Sequence, residues 1–370
     1  MFNKHNLKKN SFMLNGKFAK KGYDWWWHSF TGIAKDGSEQ PFFIEYFVIN
    51  PKVSPDKIGY GRLGQKPSYV MIKCGAWGKN KVQLHKFYKI NDVKINKYPY
   101  ELKHSDFYAS DDHITGKVLI KDSKEHKEYM CDDGSMEWDL KIKKDIAYNV
   151  GYGTSSLFRF LKAFQMYWHA EGMKSYFEGY VILNGIRYEV KKDTSYGYAD
   201  KNWGSDFTSP WIWLSSNNLY SNISKKKLDN SVFDIGGGRP KVYFVPFNRK
   251  LLGALFLEGK EYEFNFSKFW HRTKTIFNCE IKDNKLNWYV YQKCRGYIME
   301  TNISCNLDDM LFVNYEAPNG KKLHNKLYNG GNGFGNIKLY RLKHKQKILI
   351  DDIDCKNVGC EFGEYDKTSC

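Results

Sequence analysis

The 370-residue chain is expected to fold as mainly antiparallel β structure in two similar halves. Three observations carry this. The apolar runs are short, rich in Val, Ile, Tyr and Phe, and bounded by Gly, Asn, Asp or Pro. They follow one another without the alternating helical patterns of a βαβ fold. A Trp-x-Trp pair also recurs about half a chain apart, as Trp25 and Trp27 in "YDWWWHSFTG" and Trp211 and Trp213 in "SPWIWLSSNN".

Taken in order, "QPFFIEYFVINP", "PSYVMIKCG", "ITGKVLIKD", "YFEGYVILNGIRYEV", "KVYFVPF", "LGALFLEGKEYEFNF", "KLNWYVYQK" and "NIKLYRLKH" read as strands. Asn184-Gly185 is a strong hairpin signal, and Gly37 and Asn319-Gly320 mark further tight turns. Positions i and i+2 of a strand share a face, so each Trp pair presents two indoles to one side. Each pair precedes an apolar run with a carboxylate inside it, "FFIEYFV" with Glu45 and "SVFDIGGG" with Asp234. The division expected is 1–204 for one β domain and 205–370 for the other. One segment departs from the pattern. In "SSLFRFLKAF", Leu157, Phe160, Leu161 and Phe164 fall at helical spacing, with Ser155 or Ser156 as cap. A short central helix near 155–165 is expected, either covering a barrel end or dipping into a membrane.

Formal net charge is +17. This suits an anionic partner, or follows simply from a Lys-rich composition. The basic residues are scattered, the runs at Lys225–Lys227 and Lys343–Lys345 are short, and nucleic acid is not an expected partner. Eight cysteines without a C-x-x-C suggest reduced thiols and a cytoplasmic location. The N-terminus has no apolar signal core, and no run approaches the roughly 18 apolar residues of a membrane span. Peripheral contact with a membrane stays open.

Several chemistries lack a motif. There is no H-E-x-x-H, the ten histidines are dispersed, and no metal is expected. "IGGGRP" lacks the Lys-Ser/Thr of a P-loop, "GGNGFGN" opens no helix, and no G-x-S-x-G occurs. Both Gly clusters read instead as bulges or close backbone approaches. What remains is "SYGYADKNWGSDFTSPWIWLSSNN". As a strand it places Tyr198, Asp200 and Asn202 on one face, with Lys201 and Trp203 on the other. Tyr198 and Asn202 could then hydrogen-bond the carboxyl between them. Among so many aromatics Asp200 would be held neutral and able to donate a proton. As a turn, Lys201 would pair with Asp200 and the motif would be structural.

This stretch, followed by "FDIGGG", resembles the tocopherol cyclase family, whose members carry Tyr-x-Glu/Asp-Lys-Asn-Trp-Gly and then Trp-x-Trp. "YDWWWHSFTG", "EWDLKIKKDIAYNVGYG", "QMYWHAEGMKSYFEGYVILNGIRYEV" and "VGCEFGEYD" resemble other parts of the same family. The resemblance implies two lipocalin-like antiparallel β-barrel or sandwich domains packed together, as in the related carotenoid hydratases. It implies cofactor-independent cyclisation or hydration of an apolar prenyl quinol or polyene by alkene protonation. The Tyr-x-Asp suspected as acid in the hydratases maps onto Tyr198 and Asp200. A tertiary cation requires a dry lining of π faces, for which Trp25, Trp27, Trp203, Trp211 and Trp213 are candidates. His28, Glu45, Trp168, His169 and Asn202 complete the expected substrate-binding set. This chain departs from the family in having Asp200 for the usual Glu, Tyr167 in place of the His before Trp168, and Trp-Trp-Trp-His for the amino-terminal Gly-Trp-Tyr-Phe. Two other functions suit the same residues: a non-catalytic carrier of an apolar ligand, and a carbohydrate-binding or carbohydrate-cleaving protein. The last needs two carboxyls about 5–10 Å apart across an open cleft.

Overall fold

The computed structural model describes residues 4–53, 66–124, 131–148, 164–239, 241–242, 245–246, 250–320, 322–344 and 346–364. A first sheet comprises β1 (Tyr23–Ala34), β2 (Glu39–Ile49), β3 (Tyr69–Ala76), β4 (Val82–Tyr88), β5 (Lys94–Asn96), β6 (Glu101–His104), β7 (Phe107–Ser110), β8 (His113–Val118), β9 (Met136–Tyr148), β10 (Met166–Leu183), β11 (Ile186–Val190) and β12 (Gly197–Gly204). After it come β13 (Trp211–Ser216), β14 (Asn218–Ser221), β15 (Lys226–Lys227), β16 (Val232–Gly238), the small pair β17 (Lys241–Val242) and β18 (Val245–Pro246), β19 (Lys250–Leu257) and β20 (Lys260–Phe264). The chain ends with β21 (Lys274–Lys282), β22 (Lys285–Lys293), β23 (Tyr297–Asn306), β24 (Leu311–Glu316), β25 (Lys322–Lys343) and β26 (Gln346–Gly363). Apart from β17 and β18, these later strands form a second sheet. All pairings are antiparallel, and the fold is lipocalin-like. Among the described residues, α-helix is confined to Lys4–Lys9 and Ile120–Ser123. The central helix expected near 155–165 lies outside the described residues, save for its last two positions.

The two sheets meet through strands that are buried on both faces. In β1, Trp26 and His28 face inward with Ile44 and Tyr46 of β2. Tyr46 reaches Phe107 of β7 at 5.7 Å between ring centroids and accepts a hydrogen bond from Trp138 Nε1 of β9 at 3.2 Å. That face therefore closes over the first sheet's own interior. The alternate residues, Trp25 and Trp27, face the second sheet, where Trp25 stacks on Tyr315 at 4.9 Å. The second sheet divides in the same way. Ile212, Leu214, Phe233, Ile235 and Trp288 fill its own core, whereas Trp211 and Trp213 join the first sheet's cluster. The period of two thus sends every second residue of β1 and β13 into one shared seam.

Glycines let indoles lie directly on backbone at this seam. A Cβ built on Gly236 would sit 2.9 Å from the Trp168 ring, and one on Gly331 would sit 2.2 Å from Trp77. The two Gly clusters therefore serve close approach, by indoles at Gly236 and Gly331 and by backbone at Gly238 and Gly335, where a Cβ would sit 1.8 Å from the Pro210 carbonyl oxygen and 2.0 Å from that of Asn302. The register of β25 also shifts between Gly330 and Gly335, the bulge expected there. Gly236→Ala is expected to displace Trp168 and to cost about 1–3 kcal/mol by overpacking, measurable as a lowered urea midpoint at unchanged m-value.

Candidate active site

The stretch Gly197–Gly204 is a strand, and its alternation decides where each polar group goes. Lys201 turns away from Asp200 and pairs with Asp24, both fully buried, with its ammonium 3.7 Å from the Trp26 ring centre. Burial raises the Asp24 carboxyl to about 6 against the pull of Lys201. The structural pair of this strand is therefore Lys201–Asp24, which leaves Asp200 without a cation among the described residues.

Asp200 stands opposite Trp27 in the register of β12 and β1. One of its oxygens, Oδ2, accepts two hydrogen bonds, from Trp168 Nε1 at 2.8 Å and from the Tyr198 hydroxyl at 3.0 Å. The other, Oδ1, is buried and has no hydrogen-bond partner among the described residues. The Tyr198 oxygen also lies 3.2 Å from Oδ2 of Asp234, on β16 of the second sheet. A phenol has one proton, so it can donate to only one of these carboxyls. The other contact needs a proton supplied by the carboxyl itself. Burial lifts both carboxyls well above their ordinary range; for Asp234 the neighbouring Asp200 adds to the rise. Both are thus kept neutral. The shorter contact assigns the Tyr198 proton to Oδ2 of Asp200, with Asp234 donating to the phenol oxygen, so the acidic proton of Asp200 belongs on Oδ1.

Asp200 lines a cavity of about 10 Å³ with Trp25, Trp27, Trp211, Trp213, Tyr315 and Glu361. That is room for about one water molecule. The Trp27 indole N–H, in the cavity wall, has no acceptor among the described residues. Glu361, on β26, receives Trp211 Nε1 on one oxygen and Asn329 Nδ2 on the other, each at 2.5 Å. Burial raises it to about 7, with Trp211 and Asn329 holding it down. Behind it, Glu45 and Lys73 form a buried ion pair at 3.5 Å. The row Asp200–Trp27–Glu45–Lys73 crosses four neighbouring strands on one face. A larger recess of about 960 Å³, lined by Val82, Gln83, Leu183, Leu311 and Phe312 among others, shares no residue with this cavity.

Of the residues expected from sequence, Asp200, Trp25, Trp27, Trp211 and Trp213 converge on the cavity, with Tyr198 and Trp168 bonded to Asp200 from behind. Glu45 lies on the same face. The others lie away from the cavity. Asn202 does not bond Asp200; its oxygen accepts from the Tyr23 hydroxyl at 3.1 Å, and Trp168 takes the expected place. Trp203 faces the opposite way, stacked on Tyr167 at 5.4 Å. His28 turns into the first sheet's interior between Tyr46 and Phe177, its imidazole pushed down to about 3 by burial. His169 lies on the Lys201 side, beside Asn10 at 3.0 Å. For His28 and His169, strand alternation turns a residue next to Trp27 or Trp168 to the opposite face. Glu361, Asn329, Tyr315 and Lys73 were not anticipated. The legible signal for Glu361 was a carboxylate between two glycines in an otherwise apolar six-residue stretch, "VGCEFG".

Residues 68–364 match the family described as tocopherol cyclase-like. The chain belongs to this family. The same fold is seen in a protein from Nitrosomonas europaea described as AttH, at 11% identity over 95% of both chains with a TM-score of 0.50. Kievitone hydratase from Nectria haematococca aligns at 11% identity over 95% of this chain and 92% of its own, TM-score 0.46. CghA with Sch210972 aligns at 8% over 94% and 89%, TM-score 0.47. No curated protein sequence matches. In this tocopherol cyclase-like chain, no helix among the described residues is long and apolar enough to cross a membrane. Nor do His, Cys, Asp and Glu side chains among them gather to hold a metal ion.

The raised carboxyls set a pH dependence. A carboxyl whose pKa is higher in the folded state stabilises the fold while protonated. For Glu361 that contribution is complete below its ordinary 4.5 and is lost as pH rises through about 7. Glu361→Gln is expected to flatten the decline of unfolding free energy between these values by up to about 1.4 kcal/mol per pH unit, as read from urea titrations at stepped pH.

Proposed function

We propose that this protein is a cofactor-independent enzyme that protonates a carbon–carbon double bond of a prenylated or polyene substrate. The resulting cation is then closed by a phenol or trapped by water. Residues 1–204 and 205–370 act as two β domains whose facing sheets enclose the reacting atoms. The observation that carries this is the state of Asp200: its carboxyl pushed well up by burial, bonded twice on one oxygen, and without a partner among the described residues on the oxygen that would carry the proton. A neutral acid in a dry site is what alkene protonation requires. Tyr198 and Trp168 orient the carboxyl and stabilise the carboxylate left after transfer. Trp25, Trp27, Trp211 and Trp213 line the space beside it, and each face would stabilise a cation by about 0.5–2 kcal/mol. Membership of a tocopherol cyclase-like family supports an enzyme of this class.

The size of the cavity bears on how the substrate binds. A pocket for a small molecule typically measures about 300–1,000 Å³, far more than the space beside Asp200. The reading therefore requires the seam's aromatic rings to part as the chain of the substrate enters. The same enclosure speaks against the open cleft of a sugar-cleaving site. It also offers no preformed room for the ligand of a carrier.

Asp200→Asn keeps the shape and removes the acid. With a geranyl-substituted hydroquinone and an acyclic polyene as probes, turnover is expected to fall about 10²–10⁴-fold, with the thermal midpoint nearly unchanged. Product formation by the Asn variant at the rate of the parent protein would sink the acid assignment. Tight probe binding without product in either protein would favour the carrier.

A further inference from the structure

We propose that Glu361 is the base that completes the reaction, taking the proton of the attacking phenol or water across the cavity from Asp200. This rests on the alkene-protonation reading above and extends it from one carboxyl to a matched pair.

The geometry behind the assignment is a repeat. Asp200 of β12 stands opposite Trp27, the second Trp of the β1 pair. Glu361 of β26 stands opposite Trp213, the second Trp of the β13 pair. Each half of the molecule thus presents a Trp-x-Trp strand with a carboxyl beside its second indole. Both carboxyls line the same cavity. Their hydrogen bonds differ in the way an acid differs from a base. Asp200 has both donors on one oxygen and leaves the other bare. Glu361 has one donor on each oxygen. The orientation of Asn329 is fixed in turn, because its own oxygen accepts Trp77 Nε1 at 2.6 Å. A carboxyl accepting on both oxygens is stabilised as the carboxylate, which is acceptor-only. The charged and titratable groups around Glu361 are Glu45 and Lys73 from the first sheet, with Asp200 and Tyr315. Lys73 favours the charged form and Glu45 opposes it. Glu361 thus gives up its proton as pH rises through about 7, while burial favours the neutral form of Asp200.

The step balances with these groups alone. The O–H bond at Asp200 Oδ1 breaks, and its proton forms a C–H bond at the less substituted alkene carbon. The π electrons are consumed and a tertiary cation remains. A lone pair of the phenol or water oxygen forms the C–O bond, and the proton lost from that oxygen goes to Glu361. Asp200 ends ionised and Glu361 neutral. A water molecule in the cavity, once product leaves, returns the proton and resets the pair.

The test compares the parent protein with Glu361→Gln, Glu361→Asp and Asp200→Asn, using the geranyl-substituted hydroquinone in deuterated water. Glu361→Gln should form cyclised or hydrated product at least about 10²-fold more slowly while still introducing deuterium into recovered probe, because protonation survives. Glu361→Asp, which keeps a carboxylate, should recover part of the rate. Asp200→Asn should lose both product and deuterium. Product formation by Glu361→Gln at the parent rate, or loss of deuterium along with product, overturns the assignment. An active Asp200→Asn variant would instead overturn the alkene-protonation reading. A second measurement needs no turnover. Infrared difference spectra at pH 8 should assign a protonated carboxyl band to Asp200 and none to Glu361; a protonated band lost in Glu361→Gln at that pH overturns the proposal.

Discussion

The seam between the two sheets depends on one constraint: carboxyls buried among indoles must be given protons, donors or a cation. An ionised carboxylate without compensation costs several kcal/mol to bury. This protein meets that cost in three ways within one seam. Glu45 takes a cation, Lys73. Glu361 takes two neutral donors, Trp211 and Asn329. Asp200 and Asp234 keep their protons and share the hydroxyl of Tyr198. The differing chemistry of four similar side chains follows from which partner each one meets.

The indoles do more than fill space. Trp168 and Trp211 each aim an N–H at a carboxyl, and Trp77 sets the amide of Asn329 that holds Glu361. They can do so because Gly236 and Gly331 leave the second sheet's backbone bare beneath Trp168 and Trp77. Packing and electrostatics are therefore coupled. A methyl group added at Gly236 presses on the ring that orients Asp200, although the two residues lie on different sheets.

Much of this was legible in the chain. The strands, the hairpin at Asn184-Gly185, the paired indoles and the shared face of Tyr198 and Asp200 all follow from a period of two, a local property. The neutrality of Asp200 was readable as well, from the aromatic company it keeps in "SYGYADKNWGSDF". What lay off the cavity did so for two reasons. His28 sits next to Trp27 in sequence, and Trp203 lies an odd number of positions from Asp200, so both point away from the cavity in space. Asn202 shares the face of Asp200 but lies one strand step too far along, and its oxygen meets Tyr23 instead.

The sequence by itself determined which residues share a face, because alternation along a strand needs no knowledge of the rest of the chain. Whether Lys201 pairs with Asp200 was decided by the structure, which makes Gly197–Gly204 a strand and turns Lys201 to Asp24. Only the tertiary structure decided what each face meets. The second sheet places Asp234, Glu361 and Tyr315 against the first, from 34 to 161 residues away along the chain from Asp200. Those distances are closed by the stacking of two sheets, a long-range packing event that no local pattern encodes. The cavity is therefore a property of the seam: Asp200 takes its donors from the first sheet, and Asp234 and Glu361 are set against it by the second.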